Sequence, residues 1–323
     1  MSKAGIIRAV AFFGILGLLP LGVKPQWVVN LLIFTLMYAT LASSWNLIGG
    51  YAGYPSLGHA AFFGFGAYFI GIIFENNVGN GYNPFLILPL VGLCAGLISI
   101  PIGYIAMKTR KDVFAIVTIT LLFMVQTLAY NLRAVTGGAQ GKGVAVPPFA
   151  PETFGRPFYY VMLILLLTAM GISFYFRRSK IGLSLAAVRA DEDKAHGVGI
   201  QVTAVKIIAF AISVGIAAMV GGVWGYYEGF IYPQFAVDPL ITIGMVLMTF
   251  LGGRATLWGP VLGAFILVPA QQYFSYEFGA TQFYLLAYAA IFLIIMLVLP
   301  RGILPTLTDR IRLKAKIAAE AAK

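Results

Sequence analysis

Charged side chains, from which most catalytic and ion-binding sites are built, crowd into one short stretch of this sequence. Residues 182–200 read GLSLAAVRADEDKAHGVGI, in a chain of 323 residues of which only 10% are charged. Apolar runs long enough to cross a bilayer lie on both sides of this stretch. Its charged or ionisable groups are Arg189, Asp191, Glu192, Asp193, Lys194 and His196.

Metal and hydrolytic chemistry have few residues to work with. The two histidines, His59 and His196, lie far apart in sequence and form no ligand cluster. Cys94 is the single cysteine, which excludes an internal disulfide and a cysteine metal cluster. We therefore predict no catalytic residue, no metal and no cofactor, and a chain that is not an enzyme.

The run GGAQGKG (137–143) is similar to a phosphate-binding loop but departs from it twice. The motif needs Gly five residues before its Gly-Lys pair, where Thr136 stands, and Ser or Thr after it, where Gly143 stands. We interpret the run as a flexible loop. If this chain takes part in ATP-driven work, the ATP is bound by another polypeptide.

The composition is that of a polytopic membrane protein. Hydrophobic residues make up 60% of the chain and the mean hydropathy is +0.90, against about 45–50% apolar residues in soluble domains. We predict an all-α integral membrane protein, with residues 1–323 forming one transmembrane domain in contact with the lipid bilayer. The net charge of +11 fits positively charged inner loops better than a nucleic-acid partner.

Runs of about 20 apolar residues predict about ten transmembrane helices. The first is interpreted as a retained helix rather than a cleaved signal, because no small-residue cleavage site follows it. Gly252, Gly253, Gly259 and Pro260 indicate a break near Gly252, and they leave open whether 238–275 is two spans or one broken or re-entrant segment. The predicted spans are 6–23, 27–48, 57–75, 84–107, 112–132, 157–177, 204–226, 238–256, 258–275 and 281–299.

Basic residues predict the orientation. With both termini inside, 18 of the 22 Lys and Arg residues, Lys206 among them, fall on the inner side. This orientation makes 178–203 a cytoplasmic loop and the Gly- and Pro-rich 133–157 an extracytoplasmic one. Within the cytoplasmic loop, 182–195 is expected to form one short helix that ends near Gly197 and Gly199.

The predicted spans contain few ionisable groups, since the acids Glu75, Asp112, Glu228, Asp238 and Glu277 all lie at span ends. An ion-coupled transporter usually keeps such groups near the bilayer midplane. The candidates for lining a solute pathway are mostly uncharged: Tyr54, Ser56, His59, Gln126 and Thr242.

Four stretches together resemble one family, in its order and over nearly the whole chain. They are NLIGGYAGYPSLGHAAFFGFGAY (46–68), TGGAQGKG (136–143), the charged stretch with its sequel IIAFAISVGIAAMVGGVWGYYEGFIYPQF (207–235), and LGGRATLWGPVLGAF (251–265). The chain resembles the inner-membrane permease subunits of branched-chain amino-acid ABC importers, of the LivM type.

The resemblance implies a type II-like importer permease fold and a set of partners. These are a second, homologous permease, two cytoplasmic ATP-binding-cassette ATPases and an extracytoplasmic solute-binding protein. It also implies that the charged stretch is where the ATPases push the bundle between two states. The residues implied in this coupling are Arg189, Asp191, Glu192, Ala195, Gly197 and Gly199.

The sequence leaves the transported solute open. Related permeases carry urea, short amides or aromatic acids as well as Leu, Ile and Val. The chain departs from the family pattern at Tyr54 and Pro55, at Gln140 and Lys142, and at Arg254, where Gly is frequent. A more distant alternative is an ion-coupled secondary transporter.

Overall fold

A computed structural model describes residues 3–22, 25–75, 83–278, 289–290, 293 and 302–309. These residues are almost entirely helical. Two short strands occur among them, Lys142–Gly143 and Phe230–Ile231, and they pair antiparallel at one end of the bundle. The all-α prediction is confirmed for the described ranges.

Thirteen α-helices occur between Lys3 and Phe278, joined by short 3-10 turns and one π-helix, and residues 303–309 are also helical. Their bounds are α1 Lys3–Gly22, α2 Gln26–Trp45, α3 His59–Ile73, α4 Leu88–Ala106, α5 Lys111–Asn131, α6 Arg133–Thr136, α7 Gly155–Arg178, α8 Lys180–Ala190, α9 Glu192–Gly197, α10 Val202–Glu228, α11 Pro233–Ala236, α12 Pro239–Gly252 and α13 Gly259–Phe278; the π-helix is Asn46–Ala52.

Nine of the ten predicted spans coincide with described helices, whereas nearly all of the tenth (281–299) lies outside the described residues. Two stretches, Val10–Gly22 and His59–Ile73, are apolar but shorter than a full span. Six helical stretches are long and apolar enough to cross a membrane: Gln26–Ala52, Pro84–Ala106, Lys111–Asn131, Pro151–Arg178, Val202–Glu228 and Pro233–Gly252.

Helix α10 is the centre of the bundle and packs most extensively against α3 and α4. The α3–α10 crossing is close because Gly66 lies on the Ala218 carbonyl and Gly221 lies on the Phe63 carbonyl. Such backbone approach is what small residues allow in membrane helices. Helices α4 and α5 are the least buried of the spans and expose apolar side chains suited to lipid.

Two helix interruptions meet inside the bundle. The π-helix ends at Gly53, which has a φ of +73°, and residues 53–58 are non-helical before α3 begins at His59. Residues 253–258 separate α12 from α13. The Asn46 amide joins the two breaks, donating to the Thr256 carbonyl (2.9 Å) and accepting from the Ala255 N–H (2.8 Å). The break predicted near Gly252 is confirmed, whereas residues 57–58, predicted within a span, are not helical.

Replacing Gly66 by Ala tests the α3–α10 crossing. A Cβ at this position would overlap the Ala218 carbonyl oxygen, so we expect Gly66→Ala to lower the midpoint of thermal unfolding in detergent. Gly171→Ala is the control, because a Cβ there meets nothing within 4 Å and Ala is favoured over Gly in a helix by about 0.5–1 kcal/mol. Equal midpoints for the two variants would contradict the close crossing.

Candidate functional site

The charged stretch forms two helices, α8 and α9, and the prediction of one helix over 182–195 is wrong. Asp191 is extended between them, with φ −160° and ψ 114°. Its side chain accepts the Lys194 N–H (3.1 Å) and caps α9. Asp is a favoured N-cap, so it starts a new helix here rather than continuing the old one.

One side of this pair of helices packs on the bundle and the other is free of it. Leu185, Val188 and Ala195 are buried. Leu183 is 76% exposed, and Ala186 and Ala190 beside it are also exposed. The free side is therefore a small, apolar surface bordered by charges.

Lys206, in the first turns of α10, is a buried charged residue, and the sequence did not predict its burial. It belongs to the basic residues predicted on the inner side, but its side chain is only 1% exposed. The ammonium Nζ lies 2.7 Å from Glu192 Oε1, and it donates to the Met107 carbonyl (3.0 Å) and to the Tyr54 hydroxyl (3.1 Å). A charge inside an apolar helical run (VTAVKIIAF) was the available signal, since such residues are usually paired or functional.

Glu192 and Tyr54 complete this ionic cluster. The Tyr54 hydroxyl donates to Glu192 Oε2, and Lys206 Nζ lies 4.2 Å from the centre of the Tyr54 ring. Burial acts to raise the pKa of Glu192, but the bonds from Lys206 and Tyr54 outweigh it and hold that pKa below its ordinary value of 4.5. The cluster joins α9 to α4, to α10 and to the non-helical residues 53–58.

The other residues implied in coupling lie around this cluster. Arg189 Nη1 donates to the Gly50 carbonyl of the π-helix (3.2 Å), and Lys111 Nζ donates to the Arg189 carbonyl (3.0 Å). Gly197 ends α9, and Gly199, with a φ of +86°, turns the chain towards α10. Arg189 and Glu192 thus point to the bundle, while Asp191 pairs with the exposed Lys194 (3.1 Å).

Three of the predicted pathway residues come together in the bundle interior. His59 Nδ1 lies 3.0 Å from Ser56 Oγ, and Nε2 lies 2.7 Å from Ser213 Oγ. Ser213 donates to the Ser44 carbonyl (2.6 Å), so it accepts from His59 Nε2–H, and Nδ1 accepts from Ser56. Nearby, Thr242 accepts the Ala60 N–H (2.9 Å).

These buried groups are bonded to protein atoms, so the interior is closed at this level. Ser213 lies about 16 Å along α10 from its start, near the middle of the helix. Gln126 lies apart from them and donates to the Val237 carbonyl (3.1 Å). No three His, Cys, Asp or Glu side chains of the described ranges are grouped as metal ligands.

The chain is similar to known proteins over most of its length. Residues 27–299 match a family model described as "Branched-chain amino acid transport system / permease component". High-affinity branched-chain amino acid transport system permease proteins are 25% identical (LivM of Salmonella typhimurium, covering 89% of this chain and 72% of LivM) and 23% identical (LivH of the same organism, 83% and 91%). BraD of Pseudomonas aeruginosa, with the same description, is 23% identical (86% and 95%). No solved structure matches the chain.

Removing either partner of the Lys206–Glu192 pair tests the cluster. Lys206→Met leaves a carboxylate facing an apolar side chain, and breaking a buried pair costs about 3–5 kcal/mol. Because Glu192 is 31% exposed, we expect a loss at the low end of that range. Adding Glu192→Gln should recover part of the loss, measured as a double-mutant cycle of unfolding free energies in detergent. Additive losses would contradict a direct interaction.

The depressed pKa of Glu192 predicts an acid-dependent contribution to stability. A carboxyl with a lowered folded-state pKa stabilises the fold above its unfolded pKa and loses that contribution as pH falls through the folded one. Wild type should therefore exceed Glu192→Gln in unfolding midpoint near neutral pH, and the difference should shrink below the ordinary value of 4.5. Asp193→Asn, at an exposed neighbouring acid, is the control. A Glu192→Gln difference that stays constant with pH would refute this assignment.

Proposed function

The chain belongs to the branched-chain amino acid transport system permease family, and on this basis we propose that it is the membrane-spanning permease of an ATP-binding-cassette importer for Leu, Ile and Val. The substrates named for LivM, LivH and BraD support this proposal. The departure of 137–143 from a phosphate-binding loop supports ATP hydrolysis on other subunits.

The proposed arrangement is a multi-pass inner-membrane protein of about ten spans with both termini in the cytoplasm. The orientation is supported by the way basic residues divide between the two ends of the bundle. Lys108, Lys111, Arg178 and Arg254 belong to the α8–α9 end of the bundle, whereas Arg133, Lys142 and Arg156 belong to the opposite end. The positive-inside rule then makes the α8–α9 end cytoplasmic.

Two ATPases would bind at the cytoplasmic end, one of them on the exposed side of α8 and α9. A homologous second permease would complete the pathway, and a solute-binding protein would deliver substrate at the outer end. Transport would follow alternating access, in which the ATPases favour one of two conformations of the bundle.

The observation that carries this proposal is the link through Lys206. A force on α9 reaches residues 53–58 through Glu192, Lys206 and Tyr54, and Arg189 adds a second contact to the π-helix. Three residues after Ser56, His59 begins α3, the helix most closely packed on α10. The charged stretch is therefore joined to the bundle interior by side-chain contacts as well as by the chain.

Import of urea, amides or aromatic acids is the closest alternative, and a secondary transporter is the more distant one. Uptake by the purified importer in vesicles distinguishes these alternatives, through the identity of the solute that accumulates and the energy source that uptake requires. We expect leucine uptake that requires ATP and both ATPases and that persists when an ionophore collapses ion gradients. Uptake without ATPases would reject the proposal, and ATP-dependent uptake of another solute alone would reject its substrate.

A charge on the exposed side of α8 tests the ATPase contact. Leu183→Arg changes a side chain that is 76% exposed, so we expect normal folding with transport-coupled ATP hydrolysis reduced by about tenfold, or roughly 1.4 kcal/mol of interface energy. Val146→Arg is the matched control, because Val146 is 75% exposed at the opposite end. Reversing the charge of Glu192 is a poorer test of the ATPase contact, because it would mainly disturb the internal Glu192–Lys206 pair. Unchanged coupling in Leu183→Arg would remove α8 from the interface.

A further inference from the structure

A cavity of about 570 Å³ lies in the half of the bundle opposite α8 and α9. Helices α2, α3, α10, α11, α12 and α13 all contribute to its wall. Its volume falls within the range of about 300–1,000 Å³ that is usual for small-molecule sites. It is separate from the pathway residues predicted from the sequence, none of which lines it.

The wall of this cavity has an apolar part and a polar part. Phe34, Met37, Phe63, Ile241 and Val268 make an aromatic and aliphatic surface. The charged and amide side chains of the wall come from two helices: Glu228 ends α10, and Gln271 and Gln272 lie in the second half of α13.

Glu228 is the one carboxylate in the described wall. It is an exposed residue, and it makes no hydrogen bond or ion pair with any described residue. A carboxylate of this kind beside aromatic rings attracts an ammonium group, through charge and through the ring faces. The glutamine amides offer N–H donors, which a ligand carboxylate accepts.

We propose that this cavity is the outer receiving site for a zwitterionic aliphatic amino acid. Glu228 binds the ammonium group, Gln271 and Gln272 donate to the carboxylate, and the apolar wall holds the side chain. The inference rests on the proposed function and adds to it a site and a division of roles among residues.

The cavity lies on the outer side of the buried polar residues, where a solute would bind before the pathway opens. Phe63 and Trp224 pack with ring centres 5.3 Å apart. Phe63 lies one helical turn beyond His59 in α3, and Ile241 directly precedes Thr242. The cavity wall thus includes residues one helical turn from the buried His59 and directly next to the buried Thr242, and the Phe63–Trp224 pair forms part of that wall.

Uptake by the complete importer in vesicles tests the role of Glu228. We expect Glu228→Gln to raise the L-leucine concentration for half-maximal uptake by on the order of tenfold, the loss of one charge-assisted interaction. Glu277→Gln, at an exposed carboxylate of the same end outside the cavity, should match wild type. An unchanged half-maximal concentration in Glu228→Gln would overturn the proposal.

Occupancy of the cavity is measured separately from transport by thiol labelling. In a Cys94→Ala background, Phe235→Cys places a thiol at the cavity wall, at a position that is exposed. L-Leucine should slow labelling by a small charged alkylating reagent. 4-Methylpentanoate, which lacks the ammonium group, should slow it far less, and the Glu228→Gln change should abolish the leucine effect.

The two measurements fail in different ways. Leucine protection in an importer that takes up no branched-chain amino acid would support the site and reject the proposed function. ATP-driven leucine uptake with neither protection nor a Glu228→Gln effect would retain the function and reject the site. Equal protection by leucine and 4-methylpentanoate would reject the assigned role of Glu228.

Discussion

The ammonium group of Lys206 sits where lipid-like surroundings would make a bare charge very unfavourable. It is held there by three oxygen atoms that come from different parts of the chain: a carboxylate of α9, the end of α4, and the hydroxyl of Tyr54. Moving any one of these partners away would leave a buried polar group without a hydrogen bond, which is unfavourable. The α8–α9 end of the bundle is therefore organised around one cation.

The interrupted helices depend on similar compensation. Backbone that leaves the helical path inside a membrane protein needs other partners for its N–H and C=O groups. The Trp45 indole donates to the Ser56 carbonyl (2.7 Å), and the Thr118 hydroxyl accepts the Leu57 N–H (2.9 Å). Asn46 does the same for the second break. The irregular residues are thus fixed in place, and they lie between the ionic cluster and the closed polar interior.

Three levels follow one another along α10. The ionic cluster lies near its start, the bonded His59 and Ser213 near its middle, and the cavity bounded by Trp224 and Glu228 near its end. Helix α3 lies alongside the middle and the end of α10. Glycines let the two backbones pack closely there. Packing this close would let the two helices move together in the proposed alternating access.

The sequence by itself determined the class of protein, nine helical segments, the break near Gly252 and the family, because apolar run lengths, glycines and motif order are local properties of the chain. It also offered Tyr54, Ser56, His59, Gln126 and Thr242 as pathway candidates, of which Ser56, His59 and Thr242 lie near one another in the interior and Gln126 lies apart. It did not predict the π-helix, the second helix that begins after Asp191, or the burial of Lys206. Those features were decided by tertiary structure, because a lysine near a span end is buried only if the fold brings enough oxygen atoms to its ammonium group. Glu192 is 14 positions from Lys206, but the Met107 carbonyl and the Tyr54 hydroxyl come from 99 and 152 positions away.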